Sequence, residues 1–272
     1  MHARRGSAGA PNSFRAASTP VASPSRRSGG PRYDLGRRRL EEIALLLNVA
    51  RTTPDEGWIG YTVLHMKVLL LGNETPACEA VRAFLIAAGE DVRLWILQVS
   101  GDLLREFVPD IALSYGFRWI LPEPIFTFPR LGTVNAHISY LPWNRGADPN
   151  FWSHAEGTPK GVSLHRIDRG IDTGPLIAQE PVSFDENDTL RTSYEKLHAR
   201  MRTLLQTWWP ALRAGHAPAL PLPSGGTFHR KKDLDPFRHV LARRGWDTPI
   251  QDVAALSLAH HTAHENGQGH GG

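Results

Sequence analysis

The residues in this chain whose types and spacing could do chemistry lie in two segments. VNAHISYLPWNRGADPNFW carries Asn135 and His137 two apart, so on a strand both side chains point to one side and can reach one atom. GVSLHRIDRGIDTGPLIAQ carries Asp168, Gly170, Asp172 and Gly174 within seven residues. An amide that donates, an imidazole whose ordinary pKa lies near 6.5 and carboxylates able to hold it are the parts of a proton-transfer site. Each segment also has a bland reading. An Asn and a His two apart are commonly surface or hydrogen-bonded residues, and an acidic glycine-rich turn commonly spends its carboxylates on backbone N–H groups.

Several chemistries are excluded. Gly72 is followed by Asn73, Glu74, Thr75 and Pro76, so the three-glycine dinucleotide fingerprint is missing, and Glu74 would repel a pyrophosphate. No lysine-bearing phosphate loop is present, and no helix carries paired histidines with a glutamate at metalloprotease spacing.

The elements that must position these residues follow a βα rhythm. Met66 is followed by KVLLLG, which reads as a strand buried on both faces. Strands are expected over 67–71, 92–96, 110–114, 133–138 and 162–167, with 178–184 as a further, antiparallel candidate, and helices over 76–88 and near 101–107. Such alternation predicts an α/β fold with a mostly parallel sheet and right-handed crossovers. Pro142 ends the strand bearing Asn135 and His137, which places both near the edge where open α/β sheets hold ligands. Leu190, Tyr194, Leu197, Met201, Leu204, Leu205, Trp208 and Leu212 recur at steps of three and four, predicting a core-packing helix over about 189–214, capped by Asp188 and ended by Gly215. Pro218, Pro221 and Pro223 mark a linker, and Gly225 to Asp235 reads as a short C-terminal hairpin.

Taken together and in this order, the two segments resemble the signature pair of the folate-dependent formyltransferase family, which includes methionyl-tRNA, glycinamide ribotide and nucleotide-sugar formyltransferases. The resemblance covers about 66–206, including PDIALSYGFRWILPEPIF, which is similar to the family's strand and pterin-receiving loop. It implies a Rossmann-like formyltransferase domain, 10-formyltetrahydrofolate as co-substrate and no metal. It further implies Asn135, His137 and Asp172 as the catalytic trio. Tyr115, Arg118, Trp119 and Ile120 would lie on the cofactor side, with Asp168 in the facing loop. The intervening Asn73 and Glu74 depart from the family's Thr-Pro pair after the glycine. The chemistry agrees with the residues, because moving a formyl group to an amine develops an oxyanion that Asn135 can meet while His137 and Asp172 handle the proton.

The stretch WNRGADPNFWSHAEG resembles the sugar N-formyltransferases more than the PRYRG of the tRNA enzyme. Its residues suit a nucleotide-linked amino sugar: Arg145 and Lys160 for phosphate, Trp143 and Trp152 for stacking, Asn144 and Asn150 for sugar hydroxyls. Core packing is the competing reading for each Trp. The chain after Gly226 is shorter than the β-barrel that follows the catalytic domain in the tRNA enzyme, and TFHRKKDLDPF is similar to the end of several sugar formyltransferases. Other expected acceptors are glycinamide ribotide or aminoacyl-tRNA, and a non-catalytic folate- or nucleotide-binding relative is the rival from another class.

Composition sets the remaining bounds. Apolar residues make up 41% and charged ones 21%, ordinary for a chain that buries a core. The net charge of +4 is concentrated in residues 1–32, which hold six Arg and no acid and read as disordered, as a transit-like segment, or as untranslated sequence ahead of a start at Met66. A single cysteine, Cys78, fits a reducing, cytoplasmic setting, and no membrane span or nucleic-acid partner is expected. The expected division is a basic extension with a possible helix over 1–65, the catalytic domain over 66–216, linker and hairpin over 217–245, and over 246–272 a tail with His260, His261, His264 and His270. A homodimer is compatible with all of this.

Overall fold

A computed structural model of the chain describes residues 49–52, 60–63 and 65–256. The expectations for 1–48 and for the histidines beyond 256 lie outside the described residues. Within the expected extension, β1 (Val49–Thr52) and β2 (Gly60–Val63) pair antiparallel.

The main sheet begins at β3 (Lys67–Leu71), which is buried along its apolar residues because strands flank it on both sides. Helix α1 (Pro76–Ala87) follows, with Thr75 capping Cys78 N–H and Pro76 at its first turn. The chain then runs through β4 (Asp91–Trp95), α2 (Gly101–Phe107), β5 (Ile111–Ser114), α3 (Glu123–Phe126) and β6 (Thr133–His137). After β6 come the short β7 (Arg145–Gly146) and α4 (Pro149–Ala155), then β8 (Gly161–Arg166), β9 (Leu176–Pro181) and the long α5 (Leu190–Arg213). The six-stranded order is β4-β3-β5-β6-β8-β9. Strands β4, β3, β5 and β6 are mutually parallel, while β8 and β9 add antiparallel. The chain reverses its direction of travel across the sheet at β3, the kind of switch point at which open α/β sheets form a ligand crevice.

Each sheet face has its own core. Val68, Leu70, Leu113 and Val134 point to one face, packed by Val81 and Leu85 of α1 and by Leu197, Met201 and Trp209 of α5. Leu69, Leu71 and Ala112 point to the other, covered by Leu103, Leu104 and Phe107 of α2 and Phe126 of α3. The alternation along β3 is the strand period of two.

Helix α5 confirms the long helix, with two refinements. Thr189, not Asp188, is the cap, exchanging hydrogen bonds with Thr192, while Asp188 accepts from the Thr192 hydroxyl. Trp209, not Trp208, is the deeply buried indole, because its Nε1 donates to the buried Glu90 at 3.0 Å.

The expected C-terminal hairpin does not form. β10 (Phe228–His229) instead runs parallel to β7, a pairing across 83 residues that a local turn cannot make, and a 3₁₀ helix (Lys231–Phe237) follows at once. Nor are 246–256 a tail. After α6 (Arg238–Leu241), helix α7 (250–256) places Val253 among Phe151, Trp152 and Leu190, making a third small core.

Candidate active site

β6 ends where β5 and β8 flank it, and this puts Asn135 and His137 on one wall of a cleft of about 1250 Å³. The loop after β8 returns Asp172 to the same point. Asp172 adopts a left-handed backbone (φ 53), which Asp tolerates better than most residues, and Gly174 follows where a Cβ would stand 1.9 Å from the Arg166 carbonyl oxygen. The acidic turn therefore has one shape, which aims Asp172 back at β6.

Asn135 Nδ2 donates to Asp172 Oδ1 at 2.9 Å, and Gly146 N–H donates to Asp172 Oδ2 at 2.8 Å. His137 Nε2 lies 3.6 Å from Asp172 Oδ2. Burial alone would raise the Asp172 carboxyl, but the neighbouring charge of His137, the hydrogen bond and charge of His165, and the Gly146 N–H together hold it well below the usual carboxylate range. Asp172 is therefore an anion throughout the physiological range. His137 Nε2 also contacts the Asn144 carbonyl at 3.2 Å. A carbonyl only accepts, so Nε2 carries a proton.

Sequence reasoning passed over one residue of this cluster. His165, 1% exposed on β8, is the cross-strand partner of Asn135, and its Nε2 lies 3.2 Å from Asn135 Nδ2 and 3.5 Å from Asp172 Oδ1. Its Nδ1 contacts the Arg166 carbonyl at 2.8 Å, and since a carbonyl only accepts, Nδ1 carries a proton. The available signal was the two-residue alternation from Ser163 to His165; what it lacked was the antiparallel register that brings β8 beside β6.

The residues expected on the cofactor side, Tyr115, Arg118, Trp119, Ile120 and Asp168, all line the cleft, but Tyr115 stands on the α5 side of it, hydrogen-bonded to His198. Asp168 accepts from Gly170 N–H and the Thr173 hydroxyl, so it shapes the turn as well.

The expected acceptor-binding set needs correction. Trp143, Asn144, Arg145, Trp152 and Lys160 are not among the residues that line the cleft. Asn144, fully buried at φ 54, bonds Glu156 and Thr227 through its Nδ2 and accepts from Thr158. Trp152 stacks on His229 with ring centroids 3.9 Å apart. Lys160 Nζ donates to the Thr158 carbonyl, and burial lowers its pKa. Arg145 belongs to the β7–β10 pair. Asn150 borders the cleft, but its amide is committed to Leu190 and Ser193. What lines the cleft in their place is Tyr194, His198 and Arg202 of α5, together with Phe228 to Lys231 and Trp246.

Among the described residues no group of three or more His, Cys, Asp or Glu could hold a metal ion, and no helix is long and apolar enough to cross a membrane.

Comparison with known proteins agrees with this geometry. Residues 95–207 match the family model described as formyl transferase. The chain is 38% identical over 124 residues to methionyl-tRNA formyltransferase of Myxococcus xanthus, a match covering 45% of this chain and 40% of that protein. It is 40% identical over 108 residues to the bifunctional polymyxin resistance protein ArnA of Wigglesworthia glossinidia brevipalpis, covering 39% of this chain and 16% of that one. The chain thus spans well under half the length of either curated relative. The crystal structure of the formyltransferase PseJ from Anoxybacillus kamchatkensis, in complex with UDP-4,6-dideoxy-4-formamido-L-AltNAc and tetrahydrofolate, superposes with a TM-score of 0.65 at 40% identity, covering 70% of this chain and 99% of that one. With such identity running along the whole of a solved relative, this chain belongs to the formyl transferase family.

Proposed function

We propose that the protein transfers a formyl group from 10-formyltetrahydrofolate to the amino group of a nucleotide-linked amino sugar. The observation that carries the chemistry is the Asp172 carboxylate, held ionised between Asn135, His137 and the Gly146 N–H at the wall of a large cleft. At about 1250 Å³ the cleft exceeds the roughly 300–1000 Å³ of a single small-molecule site, so it accommodates donor and acceptor together.

The residues present fit a folate. Phe117, Trp119, Ile138, Ile167 and Ile171 offer apolar and aromatic surface beside the polar Asp168 turn. When bound, the folate supplies the formyl group on its N10. Asn135 then donates to the oxygen that gains charge as the amine adds to the formyl carbon. Of the two contacts of its amide nitrogen in the free site, the 3.2 Å one with His165 is the one to exchange for that oxygen, since the 2.9 Å bond to the anionic Asp172 is stronger. Asp172 takes the proton released by the attacking amine, directly or through water, and His137 protonates the departing nitrogen.

The nucleotide-linked acceptor is supported by the 40% identity to a formyltransferase solved with a UDP-linked formamido sugar. The 38% identity to the Myxococcus enzyme favours methionyl-tRNA as the second reading. Incubating purified protein with 10-formyltetrahydrofolate and, separately, UDP-linked and dTDP-linked 3- and 4-amino sugars, glycinamide ribotide and methionyl-tRNA tests both, with products scored by mass. Formylated nucleotide sugar is expected. Formylation of methionyl-tRNA alone would replace the sugar reading, release of formate without an amine would make the protein a hydrolase, and binding without turnover would make it a non-catalytic relative.

A further inference from the structure

Across the cleft from the 118–120 loop, α5 presents a second stripe besides its core-facing one. Tyr194, His198 and Arg202 stand four residues apart, on one side of the helix and spread over about 12 Å. The rings are in mutual contact. The Tyr115 hydroxyl is hydrogen-bonded to His198 Nδ1, and the His198 and Tyr194 rings meet edge to face with centroids 4.1 Å apart. Burial lowers the pKa of His198 to about 4, so this part of the wall is uncharged. Beyond Tyr194 stands Trp246, its ring centroid 5.8 Å from that of Tyr194 and tilted 50°.

Trp246 is 48% exposed, yet the backbone that follows it is pinned to the start of α5. It sits in the 3₁₀ turn Gly245–Asp247, and Arg191 of α5 grips Asp247 with two hydrogen bonds of 2.7 and 3.2 Å. Leu190 N–H donates to the Thr248 carbonyl and Ile250 N–H to the Asp188 carbonyl, each at 3.0 Å. A large indole is thereby fixed in place while its surface is turned to the cleft and not to the core, the arrangement of a stacking surface. At the other end of the stripe Arg202 is exposed, lines the same cleft and has no ion pair among the described residues.

We propose that Trp246 and Tyr194 form the platform on which the base of the acceptor nucleotide stacks, with Arg202 as a cation for its diphosphate. This rests on the nucleotide-sugar reading above. The folate's aminobenzoyl ring is the competing occupant, and the two sheet faces argue against it. Phe117 and Ile167, which lead into the pterin-side loops, pack with the α2 and α3 face, whereas Tyr115 and the α5 stripe belong to the opposite face. Asn135 and His137 stand at the strand end between them. A donor seated on the first side offers its formyl carbon to the trio from there, so the acceptor amine approaches from the second, and the rest of the acceptor extends over α5.

The experiment measures calorimetric binding of UDP, of dTDP, of uridine and of tetrahydrofolate, each separately, to the full chain and to Trp246→Ala, Trp246→Phe and Arg202→Ala. Trp246→Ala should weaken UDP and uridine alike by roughly ten-fold or more, the scale of one lost base-to-aromatic stack, and Trp246→Phe should restore part of it. Arg202→Ala should weaken UDP while leaving uridine unchanged. Unchanged tetrahydrofolate affinity in every variant verifies that the fold is intact. Weakened tetrahydrofolate binding with normal UDP binding would assign the platform to the donor and overturn the proposal, as would Trp246→Ala that binds UDP like the wild type. A wild-type chain that binds tetrahydrofolate but neither UDP nor dTDP would overturn the nucleotide-sugar reading, and the platform with it.

Discussion

At the scale of single residues, Asp172 is the hub, since Asn135, Gly146 and both histidines address one carboxylate. Asp172→Asn keeps the shape and removes the charge. It should lower turnover by roughly a hundred-fold or more, and combining it with Asn135→Ala should cost little beyond the worse single variant, because the groups act as one unit. Simple additivity would refute the shared role. The same carboxyl sets a pH dependence. Its pKa is lower in the folded chain than in the unfolded one, so its stabilisation is present above the unfolded value and fades as pH falls through the folded one. The stability gap between wild type and Asp172→Asn in urea titrations should therefore persist down to about pH 4 and narrow only below it. Asn144 gives a different signature from that of a residue touching the sugar. It is sealed from the cleft, its backbone carbonyl meets His137 Nε2, and its side-chain bonds to Glu156, Thr227 and Thr158 hold that backbone in place, so Asn144→Ala should lower kcat by roughly ten- to a hundred-fold through misplacement of the imidazole. A raised acceptor KM with kcat unchanged would restore the direct sugar contact that the sequence suggested.

At the scale of elements, the site depends on one short pairing. Strands β7 and β10 place Gly146 where its N–H holds Asp172, while its own left-handed backbone (φ 88) brings it against the far strand. A Cβ there would stand 2.2 Å from the His229 carbonyl oxygen. Gly146→Ala should force the strands apart, release the charge-assisted bond and cost turnover roughly ten- to a hundred-fold, with far-UV circular dichroism unchanged. Full activity in that variant would show that β10 does not support the site. Most of the elements themselves were legible. The β3 run, the helix from Pro76 and the apolar repeat along α5 are local patterns, read from residues within one or two turns of each other. The hairpin at 225–235 was misread for the converse reason, since its turn residues are compatible with a hairpin but its partner strand lies 83 residues upstream.

At the scale of the molecule, the two sheet faces meet at one cleft, and no element among the described residues separates the 117–120 and 167–172 loops from the α5 wall. Direct transfer needs the amine and the formyl carbon present together, so initial rates against both substrates should give intersecting double-reciprocal lines. Parallel lines, the mark of a formyl-enzyme intermediate, would refute it. The sequence by itself determined the α/β class and the order of the elements, because strand period and helix period are local, and it singled out Asn135, His137 and Asp172 because they sit in two short segments of specific pattern. Only the tertiary structure decided which polar residues face the cleft. The side to which a loop turns its side chains depends on the surfaces packed against it, and those come from far along the chain. Thr227 and His229 draw Asn144 and Trp152 away from the cleft, the β6–β8 register brings His165 beside Asn135, and the Arg191–Asp247 pair carries Trp246 to the opposite wall.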